Sequence, residues 1–156
     1  MPFKRFLIRA AVGTFQSVRR CVWFVTRPRV RGVSAVALTP EGKVVLVRLT
    51  YSRGWHLPGG GQKKSEDPRG AVLRELREEI GLSGYSEMVE VCAFEHRPDY
   101  RRGTGTLFLL RDVAFAARPS LEIDEIGTFD PGALPEETIA LSRRHVAVAL
   151  TSLRKR

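Results

Sequence analysis

Three glutamates within one helical turn are the strongest chemical signal in this sequence. Glu75, Glu78 and Glu79 are separated by three and four residues, a spacing that places their side chains on one face of a helix. Three like charges at such short range repel one another, and a bound cation removes the conflict. Mg²⁺, Mn²⁺ and Ca²⁺ all take oxygen ligands, so the cluster predicts a divalent metal site. The alternative interpretation is a solvated acidic face paired with Arg74 and Arg77.

The residues around these glutamates define where the helix begins and ends. Asp67 supplies an N-cap acceptor, and Pro68 suits the first helical turn. Gly81 suits the end of the helix, since glycine readily adopts the left-handed conformation found there. Apolar residues recur at spacings of three and four between these limits: Val72, Leu73, Leu76 and Ile80. The helix therefore has an apolar face for packing beside its acidic face.

The glutamates belong to a longer pattern that begins at Gly60. Five residues separate Gly60 from Glu66, and seven more precede the run RELREEIGL, which starts at Arg74. This order resembles the Nudix box, GX5EX7REUXEEXGU with U an aliphatic residue, and every specified position matches. The resemblance covers roughly residues 30 to 150 and implies a Nudix hydrolase.

The resemblance implies a metal-dependent attack of water on a phosphorus of a nucleoside diphosphate linked to another moiety. Such a substrate is anionic and repels hydroxide, and a divalent cation neutralises its oxygens and lowers the pKa of water. Mg²⁺ or Mn²⁺ is the expected cofactor. Arg74 is expected to support the site by orienting a helix glutamate or by pairing with Glu66. The metal ligands that the resemblance implies are the carbonyl of Gly60 and the carboxylates of Glu75, Glu78, Glu79 and Glu122.

The resemblance implies that the general base is often a carboxylate on a later loop outside the helix, although a helix glutamate serves in some members of the family. Residues 122–135 resemble the acidic loop, strand and Leu-Pro turn of the family, and they contain two candidates, Glu122 and Glu125. The spacing to Phe129 favours Glu122. The alternative is that both are solvated loop residues.

Substrate contacts are expected on both sides of the helix. Aromatic rings stack on bases, and arginines hold phosphates. The sequence offers Arg53, Trp55 and His56 before the glycine turn, and Arg97, Tyr100 and Arg101 in a downstream loop. Pro98 matches a feature of ADP-ribose hydrolases in the family, whereas Tyr100 matches one of dinucleoside polyphosphate hydrolases. These two cues conflict, so nucleoside triphosphates, nucleotide sugars and ADP-ribose are all candidate substrates.

The charge of the chain is strongly positive and unevenly distributed. The net charge is +9 over 156 residues, and no acidic residue precedes Glu41. Such a field favours polyanions, which include nucleotide phosphates, nucleic acid and anionic membrane surfaces. The alternative is that the charge only supports solubility. With 43% hydrophobic and 28% charged residues, the composition is that of one soluble globular domain.

The first 29 residues predict a basic amphipathic helix and a linker, followed by the catalytic domain over residues 30–156. We expect this helix to dock on the domain or on a second subunit, as in a homodimer. Contact with an anionic membrane and organelle targeting are the alternatives. No apolar run is long enough to span a membrane. Cys21 and Cys92 are far apart and form no metal motif, which favours a reducing cytoplasm.

The remaining pattern predicts strands, turns and a final helix. We expect strands at 32–38, 44–49, 86–96 and 106–115, a short strand and glycine turn at 55–61, a polar loop at 98–105, a loop leading into a strand at 121–129, and a helix at 138–156. This order predicts an α/β fold. It fits the Nudix-type α/β/α sandwich, with a mixed sheet between helices and a preceding N-terminal helix.

Two other functions fit the same residues. One is a non-catalytic Nudix module that binds or senses a nucleotide, although the box keeps every acidic position. The other is an RNA-end pyrophosphohydrolase that holds the RNA with its basic termini.

Overall fold

The computed structural model describes residues 29–96, 102–117 and 121–154. The predicted N-terminal helix and most of its linker fall on residues 1–28, which lie outside the described residues. Three predicted substrate contacts, Arg97, Tyr100 and Arg101, lie outside them as well.

The described chain contains nine strands and two helices. In chain order they are β1 (Arg29–Ala37), β2 (Val44–Leu49), β3 (Trp55–His56), β4 (Gly59–Gly61), α1 (Pro68–Ile80), β5 (Leu82–Gly84), β6 (Glu87–His96), β7 (Arg102–Arg111), β8 (Ala114–Phe115), β9 (Ile123–Phe129) and α2 (Ala140–Arg154). Neither helix is both long and apolar enough to cross a membrane.

The strands form one four-stranded sheet and two smaller ones. The large sheet has the order β4-β1-β7-β6, and the others are β3-β2-β9 and β5-β8. Strands β1 and β7 run parallel, whereas β1 with β4 and β6 with β7 run antiparallel. The prediction of a mixed sheet is therefore confirmed.

Each helix covers its own side of the sheets. Because successive side chains of a strand point to opposite faces, Ala35 and Ala37 of β1 pack with α1, while Val36 packs with α2. The first cluster includes Val72 and Leu76 of α1, both fully buried. The second cluster includes, from α2, the buried residues Val146 and Ala149. This arrangement confirms the predicted α/β/α sandwich.

Helix α1 begins and ends at the predicted residues. The Asp67 carboxylate accepts a hydrogen bond of 3.1 Å from the backbone N–H of Gly70. Gly81 has φ of 69° and donates its N–H to the carbonyl of Leu76. A Cβ on Gly81 would lie 2.1 Å from the carbonyl oxygen of Ala116, so both the conformation and the space require glycine.

Two predicted boundaries were wrong around β7. This strand begins at Arg102, so residues 102–105 are not part of a loop, and it ends at Arg111 because Asp112 turns the chain with φ of 50°. The glycines there suggested a loop, but a Cβ on Gly105 would lie 2.3 Å from the ring of Phe94. Gly105 thus makes room for an aromatic side chain on β6.

The acidic segment near residue 125 also differs from its prediction. Asp124 and Glu125 lie within β9 and not on the loop that precedes it. Strand β9 pairs with β2, with Arg48 opposite Glu125. Of the predicted acidic residues, only Glu122 precedes the strand.

Candidate active site

The glycine strand β4 brings its backbone against the acidic face of α1. A Cβ on Gly60 would lie 2.6 Å from the carboxyl carbon of Glu75. The N–H of Gly59 donates a hydrogen bond of 2.8 Å to Oε2 of Glu79. A side chain at residue 60 would occupy the space of the Glu75 carboxylate, so Gly60 permits this close approach.

Arg74 holds several of these groups together. Its Nε and Nη2 donate to the two oxygens of Glu66 at 2.9 and 3.0 Å. Nη2 also donates to the carbonyl of Gly61 at 2.9 Å, and Nη1 donates to Glu75 at 2.8 Å and to Glu78 at 3.3 Å. The fork geometry of a guanidinium suits such multiple contacts. The predicted pairing of Arg74 with Glu66 is thus present.

The pairing of Arg74 with Glu66 shifts the pKa of each residue so that its charged form is favoured. The hydrogen bond from Arg74, followed by that from the N–H of Lys63, lowers the pKa of Glu66 to about 2. The same contact with Glu66 raises the pKa of the guanidinium. Both groups therefore stay charged at neutral pH, and Arg74 remains an anchor for the loop between β4 and α1.

The pKa of Glu79 is raised, whereas that of Glu66 is lowered. Burial raises its pKa to about 8, and the charges of Glu75, Glu122 and Glu78 add to this effect, against the opposing N–H of Gly59. Burial also raises the pKa of Glu75, with the charges of Glu78 and Glu122 adding and Arg74 opposing. Partly buried carboxylates in a field of like charge bind either a proton or a cation. The donor set consists of oxygens, which fits a hard divalent metal.

The carboxylates are not arranged around one point. Within the described ranges, no three His, Cys, Asp or Glu side chains could enclose a metal ion together. The contacts explain this geometry, because Arg74 holds Glu75 and Glu78 while Glu79 faces Gly59. The Glu78 side chain is 58% exposed, so it can exchange its contact with Arg74 for an ion. The predicted ligand set stays a prediction.

The two candidates for the general base differ in their surroundings. The charge of Glu122 helps to raise the pKa of both Glu75 and Glu79, so its carboxylate lies near these two residues. Glu125 instead lies 3.5 Å from Nε of Arg48, and its side chain is 59% exposed. These surroundings favour Glu122, as the sequence spacing does.

Trp55 is a core residue, which corrects its prediction as a substrate contact. It is only 4% exposed. Its ring meets that of Phe129 edge to face, with 4.8 Å between the centroids, and the guanidinium carbon of Arg48 lies 4.9 Å from its centroid. Because protein groups already occupy these positions, the indole is not available to stack on a base.

The neighbouring candidates remain accessible to different degrees. Arg53 is exposed. His56 is partly buried, and its Nε2 lies 3.0 Å from the carbonyl oxygen of Arg53. Burial lowers the pKa of His56, which favours the neutral ring. Both residues stay predicted substrate contacts.

Thr50 contacts the segment that contains Glu122, and no sequence motif identifies it. Its backbone N–H donates to the carbonyl of Glu122 at 2.9 Å, and its hydroxyl donates to the carbonyl of Leu121 at 3.0 Å. A threonine after a strand is too common to indicate such a contact. The pairing of β2 with β9, which brings the two segments together, is a long-range property.

The raised pKa of Glu79 predicts a pH-dependent stability. Its pKa is 4.5 ordinarily and about 8 in the folded chain, so the folded state binds the proton more tightly. The resulting stabilisation is complete below about pH 4.5 and is lost as the pH rises through about 8. In the presence of a chelator, the thermal midpoint of wild type should therefore fall relative to that of Glu79→Gln over this range. A constant difference between the two midpoints would contradict the prediction.

Comparison with known proteins places the chain among related sequences and folds. The NUDIX domain family model matches residues 28–149. An RNA pyrophosphohydrolase of Gluconacetobacter diazotrophicus is 41% identical over 149 residues, covering 74% of this chain and 86% of that protein. An RNA pyrophosphohydrolase of Hahella chejuensis is 41% identical over 61 residues, covering 39% of this chain and 37% of that protein. The second match thus spans little more than a third of the relative's length.

Solved structures show the same fold at lower sequence identity. The crystal structure of a MutT NUDIX hydrolase from Burkholderia pseudomallei superposes with a TM-score of 0.67 at 20% identity. This superposition covers 77% of the present chain and 97% of the other.

Proposed function

The chain belongs to the Nudix hydrolase family, and from this premise we propose that it is a metal-dependent pyrophosphohydrolase. Its substrate would be a nucleoside diphosphate linked to another moiety. The observation that carries the proposal is that the glycine strand β4 contacts both Glu75 and Glu79, while Arg74 links Glu75 to Glu66 and Glu78. A chain without such chemistry gains nothing from placing like charges together in a partly buried site.

Each acidic residue has a role in this proposal. The ligands for a divalent cation would be Gly60 through its carbonyl, Glu75, Glu78 and Glu79, with Glu122 as a further candidate. A bound cation supplies charge neutralisation at the phosphate oxygens and lowers the pKa of water. Nudix hydrolases generally use divalent metals, and Mg²⁺ or Mn²⁺ is the choice that we propose here.

Glu122 is the proposed general base, which takes a proton from the attacking water. Arg74 does not contact the substrate in this scheme. It fixes Glu66 and Glu75 and so supports the position of the carboxylates. Glu125 is the second candidate for the base, and its contact with Arg48 argues against it.

An RNA 5′ end is the second candidate for the substrate. The relatives from Gluconacetobacter and Hahella are named RNA pyrophosphohydrolases, and the net charge of +9 suits a polyanion. Binding through several phosphates would weaken steeply with salt. A purely sensing module is less well supported, because the box retains all of its acidic positions.

The proposal extends to location and assembly. The scarcity of cysteine supports a cytoplasmic protein. The basic segment of residues 1–29 is proposed to dock on the domain or on a second copy, and contact with an anionic membrane is the alternative.

A substrate panel tests the proposed activity. We expect turnover of at least one member of a panel of nucleoside triphosphates, ADP-ribose, nucleotide sugars, dinucleoside polyphosphates and 5′-triphosphorylated RNA. The activity should require Mg²⁺ or Mn²⁺ and disappear with a chelator, because the carboxylates alone cannot neutralise the phosphates. For RNA, log(kcat/KM) should fall with log salt by about 0.7 for each phosphate contacted.

The outcomes of the panel separate the alternatives. Nucleotide binding without turnover of any member would support the sensing module. A flat salt dependence with RNA would remove the RNA-end alternative, while turnover that persists under chelation would contradict the metal-dependent mechanism.

A further inference from the structure

Strands β2 and β9 pair irregularly next to the proposed base. Arg48 lies opposite Glu125, whereas the next residue of β2, Leu49, lies opposite Ile123. The register thus skips Asp124, which makes a β-bulge at the start of β9. A bulge changes the direction of the neighbouring backbone. Here the neighbouring backbone is the segment of Leu121 and Glu122, which precedes β9.

Hydrogen bonds from Thr50 extend the pairing of β2 and β9 beyond its last residue pair, Leu49 and Ile123. The backbone N–H of Thr50 donates to the Glu122 carbonyl at 2.9 Å, and its Oγ1 donates to the Leu121 carbonyl at 3.0 Å. One residue therefore binds two consecutive carbonyls. The hydroxyl contact is the part that depends on the side chain.

Side-chain packing contributes little at this point. Leu121 is 73% exposed, and Glu122 is exposed as well. The first buried side chain of the segment is Ile123. Without a buried side chain to fix it, the backbone of Leu121 and Glu122 depends on hydrogen bonds for its position.

We propose that the hydroxyl of Thr50 is a positioning group that fixes the backbone from which Glu122 reaches the reaction centre. This inference rests on the proposed function, in which Glu122 is the general base. A base must lie within hydrogen-bond reach of the water that it deprotonates. A loose backbone at residue 122 would spread its carboxylate over positions that are unproductive.

Two substitutions separate the hydroxyl from the rest of the side chain. Thr50→Val keeps the β-branched shape and the backbone N–H but removes the Oγ1 donor, whereas Thr50→Ser keeps the donor. We expect Thr50→Val to lower kcat by about 10- to 100-fold, since a misplacement of about 1 Å can cost this much. KM should stay nearly unchanged, and Thr50→Ser should restore most of kcat. A residue that only stabilised the fold would shift the thermal midpoint without this change in kcat.

A double-mutant cycle identifies Glu122 as the group that Thr50 positions. In a Glu122→Gln background, Thr50→Val should cause little further loss of kcat, because residues that act through one another are not additive. A full additional loss would overturn the inference.

Amide hydrogen exchange gives a readout that does not depend on catalysis. In metal-free protein, the amide of residue 50 should exchange about tenfold faster or more in Thr50→Val than in wild type or Thr50→Ser, as local opening becomes easier. An unchanged exchange rate together with an unchanged kcat would overturn the inference. If Glu122→Gln were fully active, the base assignment itself would be wrong, and the exchange experiment would still report on the contact.

Discussion

Replacing Glu79 by glutamine is expected to lower turnover by on the order of 10³-fold, because several kcal/mol of charge stabilisation are lost at the phosphate. Glutamine keeps the size of the side chain and an oxygen that can accept from the N–H of Gly59. It removes the negative charge that would bind the cation. The measurement is kcat/KM with saturating Mg²⁺ or Mn²⁺ on the best substrate of the panel.

The matched control is an exposed glutamate outside the site. Glu90 lies on β6 with an exposed side chain, so Glu90→Gln should leave turnover within about twofold of wild type, as surface changes usually do. The Glu79→Gln protein should be folded and, without metal, at least as stable as wild type at pH 8, since it no longer buries a charge. Undiminished turnover in Glu79→Gln would refute the assignment of the site.

Alanine at the three consecutive glycines of β4 is expected to have three different effects. At Gly59, with φ of 149°, a Cβ would lie 2.2 Å from the carbonyl oxygen of Val33. This backbone oxygen cannot move aside alone, so we expect a loss of stability of about 3 kcal/mol or more. Such a loss corresponds to a fall in thermal midpoint of about 6–12 °C for a chain of this length.

Gly60 and Gly61 provide the comparison. The three atoms nearest to a Cβ on Gly60 all belong to the carboxylate of Glu75, which can rotate away. Gly60→Ala should therefore fold but lose about 10- to 100-fold in activity, as disturbed ligand positions typically do. A Cβ on Gly61 meets nothing within 4 Å, and Gly61→Ala should resemble wild type in both respects. Equal thermal midpoints and activities for the three variants would contradict this account of the strand.

Local signals were sufficient to predict the helix that carries the carboxylates. Its N-cap at Asp67 and its C-cap at Gly81 are properties of neighbouring residues, and both are present. The order of the strands was predicted from the hydrophobic periodicity. The placement of a helix on each side of the sheet was predicted from the resemblance to the Nudix box. Strand ends were predicted less well where glycine was involved, because Gly105 accommodates Phe94 and does not mark a turn.

Long-range contacts could not be predicted in the same way. The burial of Trp55 depends on Phe129, which comes much later in the chain, and a tryptophan beside a glycine turn fits a base-stacking role equally well. The contact of Thr50 with residues 121 and 122 depends on the register of β2 and β9. No local pattern encodes a register that includes a bulge.

The parallel pairing of β1 with β7 also determines when the site can form during protein synthesis. Arg29 lies opposite Arg102, so the central pair of the large sheet cannot close until the ribosome has released the chain beyond β7. Pairings between such distant residues slow folding. The helix glutamates emerge before that point, whereas Glu122 follows it and leads into β9, the strand that pairs with β2. A nascent chain that ends before Glu122 therefore carries the proposed metal ligands on the helix but lacks the proposed base.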